Sequence, residues 1–458
     1  MKKFLILPLL FVFIITSGFG CKTVDRRVRE GMKPITITYW RVYDDLDAFD
    51  KIISEYKAIH PNVKFEYKKF RYEEYEKELI NALAEDRGPD IFSIPSTWLT
   101  EYQTKLAPMP AQITMVYPEV RGTLKKETFW ELKTKKSLSF KELKNNFIDI
   151  VYEDAVLKDK DNKEAIYGLP LYIDTLAMFY NPSLLNNAGI SEVPKYWNKQ
   201  FQQAVKKLSK QNTKGNIIQS GVAMGGSENI ERASDILALL MMQNGAIMEE
   251  DGAISFHSVP PGSNRQYNPG LEALRFYTDF SNPAKEVYCW NSNMESSLSL
   301  FAQGSLAMMF GYSYHLPMIE ALSPKLKFEV SKMPQIEGNA KQVNYANYWM
   351  EVVSNKSKNI DVAWDFIQFA TAADHVENYL DVTKKPTALR ALVNKQIEDL
   401  KIGPFAEQIL TAKSWYKGKD SRAAEKAFIE MIDAAIKNQN GLEDAINDAA
   451  RKVQQTVN

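Results

Sequence analysis

Residues 34–43 read PITITYWRVY, and their alternation decides the fold. Ile35, Ile37 and Tyr39 alternate with Thr36, Thr38 and Trp40, the two-residue period of a strand that buries one face. Leu46, Phe49, Ile52, Ile53 and Tyr56 then recur at helical spacing, predicting an amphipathic helix that Asp44 or Asp45 can cap and Pro61 ends. Val63, Phe65 and Tyr67 predict a second strand, and Tyr75, Leu79 and Leu83 a second helix. Gly88-Pro89 is a turn, and Asp90 to Ile94 a third strand. This βαβαβ order implies an α/β fold with a parallel sheet and right-handed crossovers. In open sheets of this kind small molecules sit beyond the carboxyl ends of the strands. Here those ends are Trp40 to Tyr43 and Pro95-Ser96-Thr97-Trp98.

Upstream, Lys2 and Lys3 precede an apolar run from Phe4 to Ile15, and small residues lead to Cys21, the pattern of an export signal over residues 1–20. A membrane-spanning helix needs about 20 apolar residues, which neither this run nor any later stretch supplies, so the body is expected to be soluble. Gly18-Phe19-Gly20-Cys21 resembles in part the site at which bacterial lipoproteins acquire diacylglycerol, and Cys21 is the expected lipidation site. The other reading is plain secretion with cleavage nearby. Residues 21–33 are charged and lack an apolar period, which predicts a flexible tether.

About 440 residues remain after such a signal, well above the ~250 to 300 at which single cores tend to split, so at least two lobes are expected. With Cys21 acylated, Cys289 is the one remaining thiol and no internal disulfide can form. The 57 basic and 57 acidic side chains cancel, which gives no case for a nucleic-acid partner. The Lys-rich stretch from Lys125 to Lys144 reads as a solvated face. Four histidines without HxxxH or HExxH spacing, and no Cys-x-x-Cys, give no support to a metal site. Asp159, Asp161, Asn162 and Glu164 lack the glycine and the twelfth-position acid of a calcium loop and read as a polar turn. No GxSxG elbow occurs, and Gly225-Gly226-Ser227 lacks the ending of a nucleotide loop, leaving a turn whose Ser227 caps the next helix. No cofactor and no catalytic residue is expected.

The segment Tyr167-Gly168-Leu169-Pro170-Leu171-Tyr172-Ile173-Asp174-Thr175, running into Met178-Phe179-Tyr180-Asn181-Pro182, closely resembles the crossover segment of extracellular solute-binding proteins of family 1, the maltose-binding-protein-like receptors of ABC importers. His60-Pro61-Asn62-Val63, Gly88-Pro89-Asp90-Ile91, Phe301-Ala302-Gln303-Gly304, Pro334-Gln335 and Ala363-Trp364-Asp365-Phe366-Ile367 follow in the family's order. The resemblance implies a two-lobed periplasmic-binding-protein-like fold with discontinuous lobes and an interlobe cleft. Carried over, residues 34–170 and 310–353 form lobe one and residues 171–309 and 354–458 lobe two, with crossovers near Leu171, Met309 and Ser354. It also implies a secreted monomer held by the Cys21 lipid at the outer face of the cytoplasmic membrane. Such a receptor passes a small solute, expected to be a sugar, to a membrane permease without a chemical step.

A sugar presents apolar C–H faces and a belt of hydroxyls, so its site needs flat aromatic rings with amides or carboxylates beside them. Near the inferred cleft these are Trp40, Asp44, Ser96, Trp98, Tyr172, Asp174, Tyr312, Asn347, Tyr348 and Trp349. Each also has a plainer reading: Trp40 and Trp98 can pack at the sheet edge, and Asp44 and Asp174 can cap helices. Trp290 and Trp415 read first as core. Two alternatives stay open, a secreted glycan hydrolase with paired carboxylates and a sensory binding module without a permease.

Overall fold

A computed structural model of the chain describes residues 26–122, 126–262, 266–438 and 441–457. The expected export signal and Cys21 lie outside the described residues. The first described element is a short helix, α1 (Arg26–Gly31), and it corrects the flexible-tether expectation from Arg26 onward. Val28 is buried, and the Asn62 side chain donates to the carbonyls of Gly31 and Lys33, both at 2.9 Å. A helix of one and a half turns needs only that single apolar residue to dock, too little to show as a period.

The alternation at residues 34–43 becomes β1 (Ile35–Val42), followed by α2 (Asp50–Ile59), β2 (Val63–Phe70), α3 (Tyr72–Ala84) and β3 (Ile91–Pro95). β1 lies between β2 and β3, parallel to both, with Ile35 opposite Val63 and Tyr39 opposite Ile91. The fourth strand, Trp349–Val353, comes from far along the chain and runs antiparallel to β3, from Trp349 opposite Pro95 to Val353 opposite Ile91. The crossover segment closes over this strand by a bridge between Leu169 and Glu351. Gly168 permits that approach, because a Cβ there would lie 3.0 Å from the Cβ of Met350. Beyond β3 a long hairpin, β4 (Gln112–Arg121) and β5 (Glu127–Lys136), forms a separate two-stranded sheet.

Burial divides the chain between two hydrophobic cores, as expected of two lobes. One holds the sheet just described, the segment up to Ile173, and the helices from Val362 to Val393. The other holds Leu176 to Tyr345 together with Ile402, Phe405 and the C-terminal helices Ser421–Lys437 and Leu442–Val457. Residues 310–345 thus pack with the second lobe and residues 362–393 with the first, correcting the expected assignment of both stretches. Strand pairing supplies the reason. Met308–Gly311 is hydrogen-bonded to Ala177–Tyr180, which ties the chain after Met309 to the second lobe. After Val353, helices Ile360–Thr371 and Ala373–Thr383 stay against the first-lobe sheet and α2. The connections instead run through a small sheet, with Asn344–Asn347 between Asp174–Thr175 and Ala412–Lys413. The chain leaves the first core between Ile173 and Leu176, crosses back at Tyr345–Ala346, about eight residues before Ser354 and in the opposite sense to that expected there, and leaves again between Val393 and Ile402; it makes no crossing at Met309.

At the carboxyl end of β1 a cluster of charges is sealed inside the first lobe. Arg41 bonds Asp44 at 2.8 Å and Glu351 at 3.0 Å, while Lys385 reaches Asp44 at 2.6 Å. Tyr379 donates to Asp44 at 2.8 Å, and Tyr39 and Ser93 donate to Glu351 at 2.7 and 2.6 Å. Burial opposes the charge on Asp44, but Lys385 and Arg41 outweigh it and hold the carboxyl below its ordinary range. Asp44 therefore caps no helix, whereas Asp45 stands at the N-cap of the turn Leu46–Phe49 through its backbone carbonyl, its side chain pairing with Lys69 at the surface. Removing one member of a buried ion cluster leaves its partners uncompensated. Asp44→Asn is expected to lower unfolding free energy in urea by about 3 to 5 kcal/mol. Asp45→Asn should change it by less than ~1 kcal/mol.

Candidate functional site

Where the lobes face each other beyond the ends of β1 and β3, aromatic side chains converge. Tyr43 follows β1, Tyr72 opens α3, and Trp349 begins the antiparallel strand. Their ring centroids lie 6.1 Å apart for Tyr43 and Tyr72, 6.0 Å for Tyr43 and Trp349 and 6.3 Å for Tyr72 and Trp349. Tyr75 and Trp98 back Trp349 at 5.9 and 6.3 Å. From the second lobe Tyr314 faces Tyr43 with ring planes 2° from parallel and centroids 6.5 Å apart. Tyr43, Tyr72 and Tyr314 keep 52%, 43% and 40% of their surface exposed, which for tyrosines at the meeting of two cores marks an accessible groove. Tyr43 holds φ at +74°, a backbone state uncommon for a non-glycine residue, and such strain concentrates at functional positions.

Polar groups line the second-lobe side. Arg232, itself left-handed at φ +56°, opens the buried helix Ala233–Gln243 and bonds Asp235 through Nε and Nη2 at 2.9 and 3.0 Å. The Tyr312 hydroxyl donates to Asp235 at 2.5 Å, and Glu425 approaches Arg232 at 3.2 Å. Burial opposes the charge of Arg232, but Asp235 and Glu425 more than offset it and keep the guanidinium protonated. Arg422, on the same C-terminal helix as Glu425, reaches across to pair with Glu76 of α3 and lies 5.3 Å over the Trp98 ring. The lobes therefore touch through a stacked ring pair and an ion pair.

The ten expected contact residues divide. Trp349 and Trp98 join the ring cluster, and Trp98 also stacks on Tyr102 at 5.5 Å. Trp40 packs on Phe70 at 4.7 Å beneath Lys68, set behind the cluster by Phe70 and Tyr75. Asp44 is consumed by the buried ion cluster. Tyr172 is buried under Lys385, whose ammonium lies 4.3 Å from the ring centroid. Ser96 is half-buried where its amide donates to the Tyr348 carbonyl, and Tyr348 is sealed in the first-lobe core with its hydroxyl on Asp154 at 2.8 Å. Tyr312 is also buried, beneath Tyr314 at 5.8 Å. Asn347 is half-buried opposite Asp174 in the connecting sheet.

Asp174 caps no helix. It accepts from the Ser313 amide and hydroxyl at 2.9 and 2.5 Å and from the Thr175 amide at 3.0 Å, so it fixes the loop that carries Tyr314. Ser227 is likewise not a cap; it bonds Asp433. Trp290 is fully buried, and Trp415 packs against Phe428 at 5.4 Å, as core residues. Among the described residues no group of three or more His, Cys, Asp or Glu could hold a metal ion. The turn at Asp159 is closed by its own carboxylate, which accepts from the amides of Asp161 and Lys163.

Sequence reading missed Tyr72, Tyr75, Tyr314, Arg232 and Asp235 as candidates. Tyr43 closes the Trp40-to-Tyr43 stretch at the carboxyl end of β1, and Tyr314 is two residues past Tyr312, so both carry a positional signal. Arg232 and Asp235 carry none, because they sit in no motif and open a helix that from Ile236 to Met242 is wholly apolar and reads as core.

Two α/β lobes joined by a three-stranded sheet, with a ring-lined groove between them, define a two-lobed receptor of the periplasmic-binding-protein type. A family model described as bacterial extracellular solute-binding protein matches residues 43–377, and the chain belongs to that family. A binding protein of Brucella abortus (strain 2308) is 26% identical over 266 residues, a match covering 55% of this chain and 58% of that one. The chain thus spans little more than half the length of that relative. A multiple sugar-binding protein of Streptococcus mutans serotype c is 21% identical over 291 residues, covering 62% and 66% of the two chains. Among solved structures, the cyclic α-maltosyl-1,6-maltose binding protein of Arthrobacter globiformis superposes with a TM-score of 0.70 at 17% identity, covering 93% of this chain and 99% of that one.

Burial raises the Asp174 carboxyl from 3.8 to about 7, against the opposing hydrogen bonds from Ser313 and Thr175. An acid with a raised folded value keeps its proton where the unfolded chain has lost it, so its contribution to stability falls as pH rises from 3.8 to about 7. Asp174→Asn removes that dependence. The decline of Tm across this window should be shallower in the variant, measured by thermal melts in matched buffers, and parallel curves would contradict the assignment.

Proposed function

We propose that this protein is the extracytoplasmic receptor of an ABC importer, capturing a small carbohydrate between its lobes and delivering it to a membrane permease. One observation carries the reading: Tyr43 and Tyr72 from one lobe and Tyr314 from the other present exposed ring surface to one groove, with the buried Trp349 packed behind them. Flat faces suit the C–H surface of a sugar, and the Arg232–Asp235–Glu425 group beside them offers donors and acceptors for hydroxyls. The name of the streptococcal relative supports the same solute class. A ligand bridging the groove adds contacts that the open state lacks, and that differential affinity shifts the population toward closure. Binding and release suffice for this role, in keeping with a family of binding proteins. In the mature receptor the first 20 residues are removed, the lipid on Cys21 holds a monomer at the outer face of the cytoplasmic membrane, and the closed form is what the permease reads.

Calorimetry over sugars, polyols, amino acids and polyamines tests the ligand class. A sugar or oligosaccharide is expected to bind, and stabilisation by a charged amine alone would overturn the carbohydrate assignment while leaving the receptor in place. Tyr314→Ala and Tyr72→Ala are each expected to weaken binding about 10- to 100-fold, the loss of one exposed stacking face, with circular dichroism unchanged. Unaltered affinity in both would move the site elsewhere.

A further inference from the structure

The chain as a whole is balanced, yet its basic residues are not evenly spread. In the described parts of residues 26–33 and 112–136, nine Lys or Arg face four Glu. These residues belong to one local unit, since α1 packs against the β4–β5 hairpin: Val28 is buried, and a Cβ on Gly31 would meet Val116 at 2.5 Å. Glu30, Glu131 and Glu119 pair within the unit with Lys33, Arg121 and Lys133, so each pairing cancels one charge of either sign and the excess of five cations stands. Arg26, Lys126 and Lys136 are all exposed.

The hairpin also carries apolar surface away from either core. Val120 is 60% exposed and shares one face of the hairpin with the half-buried Trp130, with Lys126 and Lys136, and with Val116, against which α1 packs, whereas Phe129, 39% exposed under Arg121, lies on the other face. Exposed aromatic and aliphatic side chains among surplus cations are the chemistry of a surface that rests in a lipid headgroup layer. A protein docking site of equal charge would not need the apolar edge to lie on the same side as the start of the body. Cys21 is five residues before Arg26, and five residues of chain can span at most about 18 Å.

We propose that α1 and the β4–β5 hairpin form a basic foot by which the receptor rests on an anionic phospholipid surface. The foot fixes which side of the first lobe faces the membrane. Its position beside the anchor rests on the lipidation reading above, whereas its affinity for anionic lipid does not. The solute plays no part in either. Surplus positive charge close to an anionic bilayer is attracted over about one Debye length, ~10 Å at 0.1 M salt, so binding must be salt-sensitive.

The test uses the chain beginning at Lys22, which retains both hydrophobic cores and carries no acyl group. Its sedimentation is followed with vesicles of about 30 mol% phosphatidylglycerol in phosphatidylcholine and with phosphatidylcholine alone. At low salt, partition onto the anionic vesicles is expected to exceed that onto neutral ones by about 10-fold or more and to vanish near 0.5 M salt. The triple variant Arg26→Glu, Lys126→Glu, Lys136→Glu should lose it. The charge-matched control Lys207→Glu, Lys214→Glu, Lys437→Glu on the second lobe should keep it. Solute binding by both variants confirms that each is folded and separates a failed foot from a failed receptor. Equal partition on both vesicle types, no partition at all, or equal loss in the two variants would overturn the proposal.

Discussion

The structure turns on one carboxylate held between two cations out of water. Asp44 sits where β1 ends, and its bonds to Arg41, Lys385 and Tyr379 tie that end to a segment more than three hundred residues away. Burying such charges is costly, and a well-packed apolar cluster of similar shape is often as stable. What the ions contribute here is direction. Tyr43, between Arg41 and Asp44, cannot relax into an ordinary strand conformation while both neighbours are fixed, so its ring is driven outward into the groove at φ +74°. A structural cluster thereby positions a residue of the candidate site without touching anything bound there.

The connecting sheet sets how the lobes can move. Its three short strands, Asp174–Thr175, Asn344–Asn347 and Ala412–Lys413, are hydrogen-bonded to each other, so bending is shared among them. The lobes touch near the groove through Tyr43 on Tyr314 and Arg422 on Glu76, contacts of a kind worth about 1 kcal/mol each. Just past the connecting sheet further contacts join the lobes, with Lys413 on Glu153 at 2.9 Å and Ser414 on Asp154 at 2.7 Å. Asp174 couples hinge and groove most directly, since the carboxylate in the connecting strand grips the loop bearing Tyr314.

Much of the first lobe was legible because its signals are local. The period of two over Ile35, Ile37 and Tyr39 and the helical spacing through Tyr56 each report burial on one face, and both elements formed as expected. The connectivity was less legible. Nothing within Phe310 to Tyr345 says which core it joins, because that is decided by pairing with Ala177–Tyr180, far away in sequence. The candidate residues show the same division. Trp98 and Trp349 lie at strand ends, a position readable from periodicity, and they reached the ring cluster. Tyr348, one residue before that strand begins, is turned into the first-lobe core and spent on Asp154. Alternation predicts that one of two neighbours faces the groove, but which one depends on a register fixed by β3.

That pairing of β3 with Trp349–Val353 also governs when the protein can take shape. The central sheet cannot be completed until some 250 further residues have been made, and the second core waits for helices near the carboxyl terminus. Contacts so distant along the chain form slowly. In a family of extracellular proteins such an arrangement keeps the new chain open for longer after synthesis, because neither half can close around an unfinished interior.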